Sequence, residues 1–453
     1  MAAHRRHADR RLADGVRTGP DVAPGARGAV GVGARPGSRD ARGGRAVSPA
    51  APGTPAAPIW DPARLGPLTL RNRIIKAATF EGVMPHGRVT DELIDFHAEV
   101  ARGGAAMTTL AYCAVSPGGR VHRHSLVLDE PTGRDLRRLT EAVHAEGALA
   151  AAQIGHAGLV ANQISNRARS LAPSTRISPP AMGLVKGATT RQLERVARDF
   201  ASGARVAVDA GFDALEVHLG HNYLLSSFMS PNLNKRTDVY GGSVAARSRF
   251  PREVLERVRS AVGDSVAVTA KFNMADGVPR GLWLDQSLQI ARLIESDGCV
   301  DALQLTGGSS LLNAMYYFRG EVPMSEFIAA QPKLVGIGLE VYGPRILPTY
   351  PFEEAFFLPF ARQFREALSM PLILLGGVNR LDTVHTALDE GFEFVGMARA
   401  LLRDPYLPEK FRTRRVAEGL CVHCNKCVPT IYSGTRCVVR EAVRENGRRG
   451  RRR

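Results

Sequence analysis

The sequence predicts an α/β fold, a closed (β/α)8 barrel of the TIM type, and two observations predict it. Eight short apolar runs recur along the chain, most followed by a helix-length stretch with apolar residues at 3.6-residue spacing. No G-x-G-x-x-G follows the first run, which disfavours the competing open, doubly wound sheet.

The expected strands are residues 74–77, 106–110, 148–154, 214–218, 266–272, 302–306, 372–375 and 394–396. Helical periodicity marks residues 91–102, 132–146, 190–210, 247–262 and 284–296. Thr90 ahead of Asp91 and Glu92 reads as an N-cap with acids in the first turn. Two long insertions, 157–189 and 307–350, follow the third and sixth strands. In a barrel both would roof the end where chemistry sits. The expected organisation is therefore a tail at 1–57, a barrel at 58–412 and a Cys-containing segment with a basic end at 413–453.

Charge and composition exclude several classes. The net charge is +16, but residues 1–57 hold ten Arg against four Asp (+6), and residues 438–453 hold seven Arg against two Glu (+5). Eleven of the sixteen charges thus lie in the two tails, which argues against a nucleic-acid groove on the body. The first tail is rich in Ala, Gly, Pro and Arg and cannot bury enough apolar surface to fold, so it is expected to be disordered. It reads as a transit-like segment or, preferably, as an extension upstream of the true start. No apolar run approaches the ~20 residues of a membrane helix, and the start has no signal-peptide core. Nothing indicates an oxidising compartment, so the cytoplasm is expected. The expected partner is a small-molecule substrate, with no nucleic acid and no membrane, and a homo-oligomer is left open.

The chemistry is concentrated at strand ends. His218, His221 and Tyr223 lie in H-L-G-H-N-Y, directly after the fourth run. Two imidazoles and a phenol there can hold a carbonyl oxygen and supply a proton. The last two strands end in Gly376-Gly377-Val378-Asn379 and Gly396-Met397-Ala398-Arg399. Glycines admit an anion to backbone N–H groups and Arg399 adds a charged fork, the pattern of a phosphate site after strands seven and eight. Gln153 ends the third strand, and Lys271 ends the fifth, where a cation needs an anionic partner or solvent. Cys421, Cys424, Cys427 and Cys437 have the spacing C-x2-C-x2-C-x9-C, which suits an Fe–S cluster or Zn.

Together these residues resemble the old yellow enzyme family, the NADH:flavin oxidoreductases. The resemblance rests on H-L-G-H-N-Y-L-L-S-S-F-M-S-P-N-L-N-K-R-T-D-V-Y-G-G-S, on N-R-I-I-K-A-A, on G-R-V-T-D-E-L-I-D-F-H-A-E-V-A-R-G-G and on A-V-S-P-G-G-R, and it covers about residues 58–408. It implies a (β/α)8 barrel that binds FMN non-covalently and takes electrons from NAD(P)H. Gln153 would bond the pyrimidine edge of the flavin, and Lys271 would stand near N1 and O2. Gly376, Gly377, Gly396 and Arg399 would hold the phosphate, and Ala78, Thr79 and Tyr112 would line the ring. His218 and His221 would grip the oxygen of an activated C=C substrate, and Tyr223 would give the proton. Phe80 stands where the family often has Thr or Cys, and Tyr112 where it often has a small residue.

C-V-H-C-N-K-C is similar to the [4Fe–4S] segment of the larger members, the 2,4-dienoyl-CoA reductases and trimethylamine dehydrogenases, though with a shorter gap before the last Cys. The chain ends 16 residues after Cys437, so the reductant is expected to bind at the barrel itself. The expected activity is NAD(P)H-driven reduction of an activated C=C bond through FMN. The alternatives are dehydrogenation of a small amine with electrons leaving through the C-terminal cluster, and a flavin- or phosphate-binding barrel without turnover.

Overall fold

The computed structural model describes residues 58–330 and 347–441, with 336, 337, 340, 341 and 343 between them. The expected tail at 1–57 and the last residues of the basic end lie outside the described residues.

Eight parallel strands close on themselves. They are β1 (Ile74–Lys76), β2 (Met107–Ala114), β3 (Leu149–Gly155), β4 (Ala214–Leu219), β5 (Ala267–Asn273), β6 (Ala302–Thr306), β7 (Leu372–Leu374) and β8 (Phe394–Met397). Each pairs in parallel with its sequence neighbour, and β8 returns to pair with β1. All eight expected strands are present, as are the five expected helices: α1 (Asp91–Arg102), α2 (Glu130–Ala145), α3 (Thr190–Asp209), α4 (Val244–Val262) and α5 (Leu284–Asp297). α6 (Leu358–Ala367) and α7 (Leu381–Asp389) follow the same pattern. The Thr90 cap is made, its hydroxyl accepting from Leu93 N at 3.2 Å.

The period of two along each strand divides the core. Outward residues such as Leu215, Val217 and Leu219 pack into the layer beneath the helices. Inward residues at the strand starts, including Ala214, Ala267, Ala302, Ile373 and Phe394, form a separate apolar floor. The hairpin Ala63–Leu65 and Leu68–Leu70 plugs that floor with Leu65 and Leu70. Farther up, the inward positions turn polar: Gln153, Glu216, His218, Lys271, Gln304 and Thr306 are all buried. Apolar below and polar above is how the barrel carries chemistry at one end only.

The insertion after β3, which its Ser, Pro and Gly content predicts to be loop, holds a small sheet, Leu171–Ala172, Arg176–Ser178 and Gly183–Gly187. Its strands have two to five residues, too short for a periodic signal.

A buried ion pair ties β1 to its neighbours. Lys76 Nζ donates to Glu81 Oε1 at 2.6 Å and to Thr109 O at 3.3 Å, and both side chains are about 1% exposed. Glu81 Oε2 accepts from Ala111 N at 2.7 Å, which fixes the backbone ahead of Tyr112. His97 of α1 lies 3.8 Å from the same carboxylate. Burial alone would raise the Glu81 carboxyl, but Lys76, with His97 behind it, pulls it down to about 2. A depressed folded value means stability that is present at neutral pH and lost as pH falls below about 4.5 toward 2. Glu81→Gln, which strands a buried ammonium, is expected to cost about 3–5 kcal/mol in urea unfolding at pH 7. A change within ~0.5 kcal/mol, the range of ordinary surface substitutions, would show that the pair braces nothing.

Candidate active site

The polar end of the barrel is organised by Glu216. Its Oε1 accepts from Gln153 Nε2 at 2.7 Å and faces Lys271 Nζ at 3.4 Å. Register explains the convergence: Glu216 pairs with Gln153 on β3 and His218 with Lys271 on β5. Glu216 and His218 are two residues apart, so both point inward. All four side chains are at most 4% exposed. Gln304 on β6 adds an amide whose Oε1 is buried with no partner.

The three residues of the H-L-G-H-N-Y stretch come together above this layer. His218 lies 4.4 Å from Tyr223, ring centre to ring centre, and 5.3 Å from His221. His218 Nδ1 accepts from Gly220 N at 3.1 Å, which leaves the proton on Nε2. His221 Nε2 is 3.0 Å from Thr306 Oγ1, and its ring stacks on Tyr317 at 4.4 Å. Burial, the other imidazole and Lys271 push His218 well below its usual value. Burial and Lys271 push His221 down to about 3. Both rings are therefore neutral hydrogen-bonding groups at neutral pH rather than cations.

The sharp turn that presents them is held from below. His221 and Asn222 have left-handed backbones, φ 58° each, a conformation that a non-glycine residue keeps only when its surroundings hold it. Asp276 supplies the hold: Oδ1 accepts from Asn222 Nδ2 and Asn273 Nδ2 at 2.9 Å each, and Oδ2 from Ser230 Oγ at 2.6 Å and Leu282 N at 2.8 Å. Burial raises the Asp276 carboxyl despite these donors.

The remaining wall is aromatic. Tyr112 donates to Gly119 O at 3.1 Å, and its ring lies 5.4 Å from Tyr223 and 6.3 Å from His218. Ala78, Phe80 and Tyr223 each pack against the apolar cluster that contains Tyr112. The Thr79 hydroxyl is engaged with the Lys76–Glu81 pair, at 3.0 Å from each.

Not every expected site residue joins this group. Gly376 and Gly377 have φ of 115° and 79°, and a Cβ there would stand 2.6 Å from Phe357 and 2.8 Å from Phe356. They admit an aromatic segment closely. Gly396 lies on β8 beside Gln304. Arg399 is engaged by other groups: its Nη1 donates to Arg319 O at 3.1 Å and to Asn425 Oδ1. It lines one small cavity with Cys421, Cys424, Cys427 and Cys437. All four thiols thus face a common space, although among the described residues no three of His, Cys, Asp or Glu stand as a set that could hold a single metal ion. The Cys segment also reaches the barrel mouth, where Thr435 donates from N to Glu81 O at 2.7 Å and from Oγ1 to Phe80 O at 2.5 Å.

Sequence reasoning missed Glu216, Asp276, Asn273, Thr306 and Tyr317. A carboxylate inside an otherwise apolar strand, two residues before His218, was the available signal for Glu216.

Residues 58–298 match the family described as the NADH:flavin oxidoreductase / NADH oxidase family. The chain is 75% identical over 398 residues to a 4,4'-dithiodibutanoate disulfide reductase of Rhodococcus erythropolis, covering 87% of this chain and 99% of that one. It is 32% identical over 377 residues to a metal reductase of Desulforamulus reducens, covering 83% of this chain but 52% of the relative, so it spans about half that protein's length. A 2-naphthoyl-CoA reductase structure superposes with a TM-score of 0.72 at 23% identity, over 84% of this chain and 56% of that one, which shows the shared barrel. No helix among the described residues is long and apolar enough to cross a membrane.

Because both imidazoles are already neutral, the rate of acceptor reduction is expected to show no inflection from them between about pH 5 and 8. A rapid-mixing profile with a step near 6.5 that disappears in His221→Gln would contradict this.

Proposed function

The chain belongs to the NADH:flavin oxidoreductase / NADH oxidase family, and on that premise we propose that it passes two electrons from NAD(P)H through bound FMN to an organic disulfide. The observation that carries this reading is the convergence of neutral His218 and His221 with Tyr223 over buried Gln153 and Lys271. The disulfide is favoured because the relative of 75% identity, matched over 99% of its length, is a disulfide reductase.

The residues present fit a flavin. Gln153 and Lys271 offer an amide and a cation at adjoining strand ends, and the orphaned Gln304 Oε1 awaits a donor. These would hold the pyrimidine edge, and the glycine ends at 376–377 and 396 would take the ribityl phosphate. Bound FMN would supply hydride transfer from NAD(P)H to the acceptor. The chain's own part is to bind, orient and protonate. Lys271 would place positive charge beside the pyrimidine edge, where negative charge collects on reduction. His218 and His221 present N–H groups to the acceptor, and Tyr223 holds a hydroxyl proton beside them. The balance is NAD(P)H + H⁺ + RSSR → NAD(P)⁺ + 2 RSH. Hydride adds to one sulfur as the S–S bond breaks, and the departing thiolate takes the Tyr223 proton.

A second acceptor, an activated C=C bond, is supported by the same geometry. Two neutral N–H donors polarise a carbonyl oxygen, and Tyr223 protonates the α-carbon.

The four cysteines support an Fe–S cluster, which would supply one-electron transfer. The four cysteines line one cavity, as a cluster ligated by several thiolates requires. The buried Arg399 guanidinium beside them offsets thiolate charge. Iron and acid-labile sulfide near four per chain after anaerobic purification are the expected result for a [4Fe–4S] cluster. Stoichiometric zinc instead would overturn it.

Tyr223→Phe is expected to slow reoxidation of the reduced flavin by the acceptor about 10²–10⁴-fold, while NAD(P)H bleaches the flavin at the wild-type rate. Stopped-flow absorbance separates the two half-reactions, and equal slowing of both would remove the proton-donor role.

A further inference from the structure

The loop after β2 and the turn after β1 bring together a basic cluster that the site described above does not use. His122, Arg123 and His124 come from the first and His86, in the turn Pro85–Gly87, from the second. His86 and His124 are 5.3 Å apart, His122 and His124 5.4 Å, ring centre to ring centre. The cluster adjoins the active-site wall. His122 meets Phe80 edge-on at 5.4 Å, and Phe80 packs against the apolar cluster around Tyr112 on which Tyr223 also packs. Tyr112 also ties the start of this loop to the site through Gly119 O.

The hydrogen bonds at His124 do not balance. Its Nδ1 accepts from His86 N at 2.9 Å, and its Nε2 faces Arg123 Nε at 3.2 Å. A neutral imidazole has one acceptor nitrogen. Whichever nitrogen bears the proton, one N–H therefore points at another N–H. An anionic oxygen set between Arg123 and His124 removes the conflict, because both groups then donate to it. His122 adds to the polarity, since its Nδ1 accepts from His124 N at 3.0 Å and its proton lies on Nε2.

The electrostatics agree. After burial, the groups that depress His122 are His124, Arg123 and Arg120, and those that depress His124 are Arg123 and His86. No carboxylate acts on either ring to raise it. The Arg123 side chain is exposed, so its guanidinium can turn to a ligand without breaking a core contact.

We infer that Arg123 and His124 form an anion subsite at the mouth of the barrel, which takes a carboxylate of the acceptor while its reacting bond lies against Tyr223. This rests on the reading of the site as an acceptor-reducing centre. The same chemistry suits a phosphate of NAD(P)H, and the test separates the two.

Flavin-loaded full-length protein is assayed with 4,4'-dithiodibutanoate and with its uncharged diamide, as wild type and as Arg123→Gln and His124→Gln. The wild type is expected to favour the dicarboxylate at least tenfold in kcat/KM. Each variant is expected to lose about tenfold on the dicarboxylate alone, with the diamide and the NADPH half-reaction unchanged. Equal loss on both disulfides, no preference in the wild type, or loss confined to the NADPH step would overturn the subsite. If neither disulfide turns over, calorimetry with the thioether dicarboxylate and thioether diamide decides. A tenfold preference for the dicarboxylate that Arg123→Gln abolishes upholds the subsite, and equal or absent binding refutes it.

Discussion

The site depends on one buried carboxylate. Glu216 stands in the middle strand of three and receives Gln153 from one side and Lys271 from the other. An ammonium this deep in a barrel is tolerable only with a counter-charge in reach. The same carboxylate fixes the amide of Gln153 and thereby sets the floor on which His218 sits. Remove the charge, and Lys271 must leave or find another anion.

Around that floor the barrel divides its work. Apolar residues at the strand starts make a sealed base, so the polar upper layer carries function without weakening the core. The strained turn at His221 and Asn222 is held by the four donors on Asp276, which lies between β5 and α5. The Lys76–Glu81 pair does the same outside the barrel, holding the backbone that carries Tyr112. Three buried carboxylates thus each fix one part of the frame around the His218–Tyr223 stretch.

The fold was legible because parallel strands buried on both faces leave continuous apolar runs, and helices between them leave a 3.6 period. The His218–Tyr223 stretch was legible because polar groups crowd one strand end. Glu216, Lys76 and Glu81 were harder. Each is a charge whose partner lies on another element or across a turn, and no local pattern announces such a pair. Arg399 shows the same limit. Its place after β8 pointed to a phosphate, yet its side chain faces the four cysteines, because Asn425 and the Arg319 carbonyl compete for it from segments distant in sequence.

The central claim is that the polar end of the barrel holds a flavin that takes electrons from NAD(P)H and gives them to an acceptor beneath Tyr223. An anaerobic titration followed by absorbance tests it most directly. The purified protein should show an FMN spectrum that one equivalent of NAD(P)H bleaches and one equivalent of 4,4'-dithiodibutanoate restores, with two thiols released. A colourless protein that takes up no FMN, or a bleached flavin that neither a disulfide nor an enone reoxidises, would contradict the account.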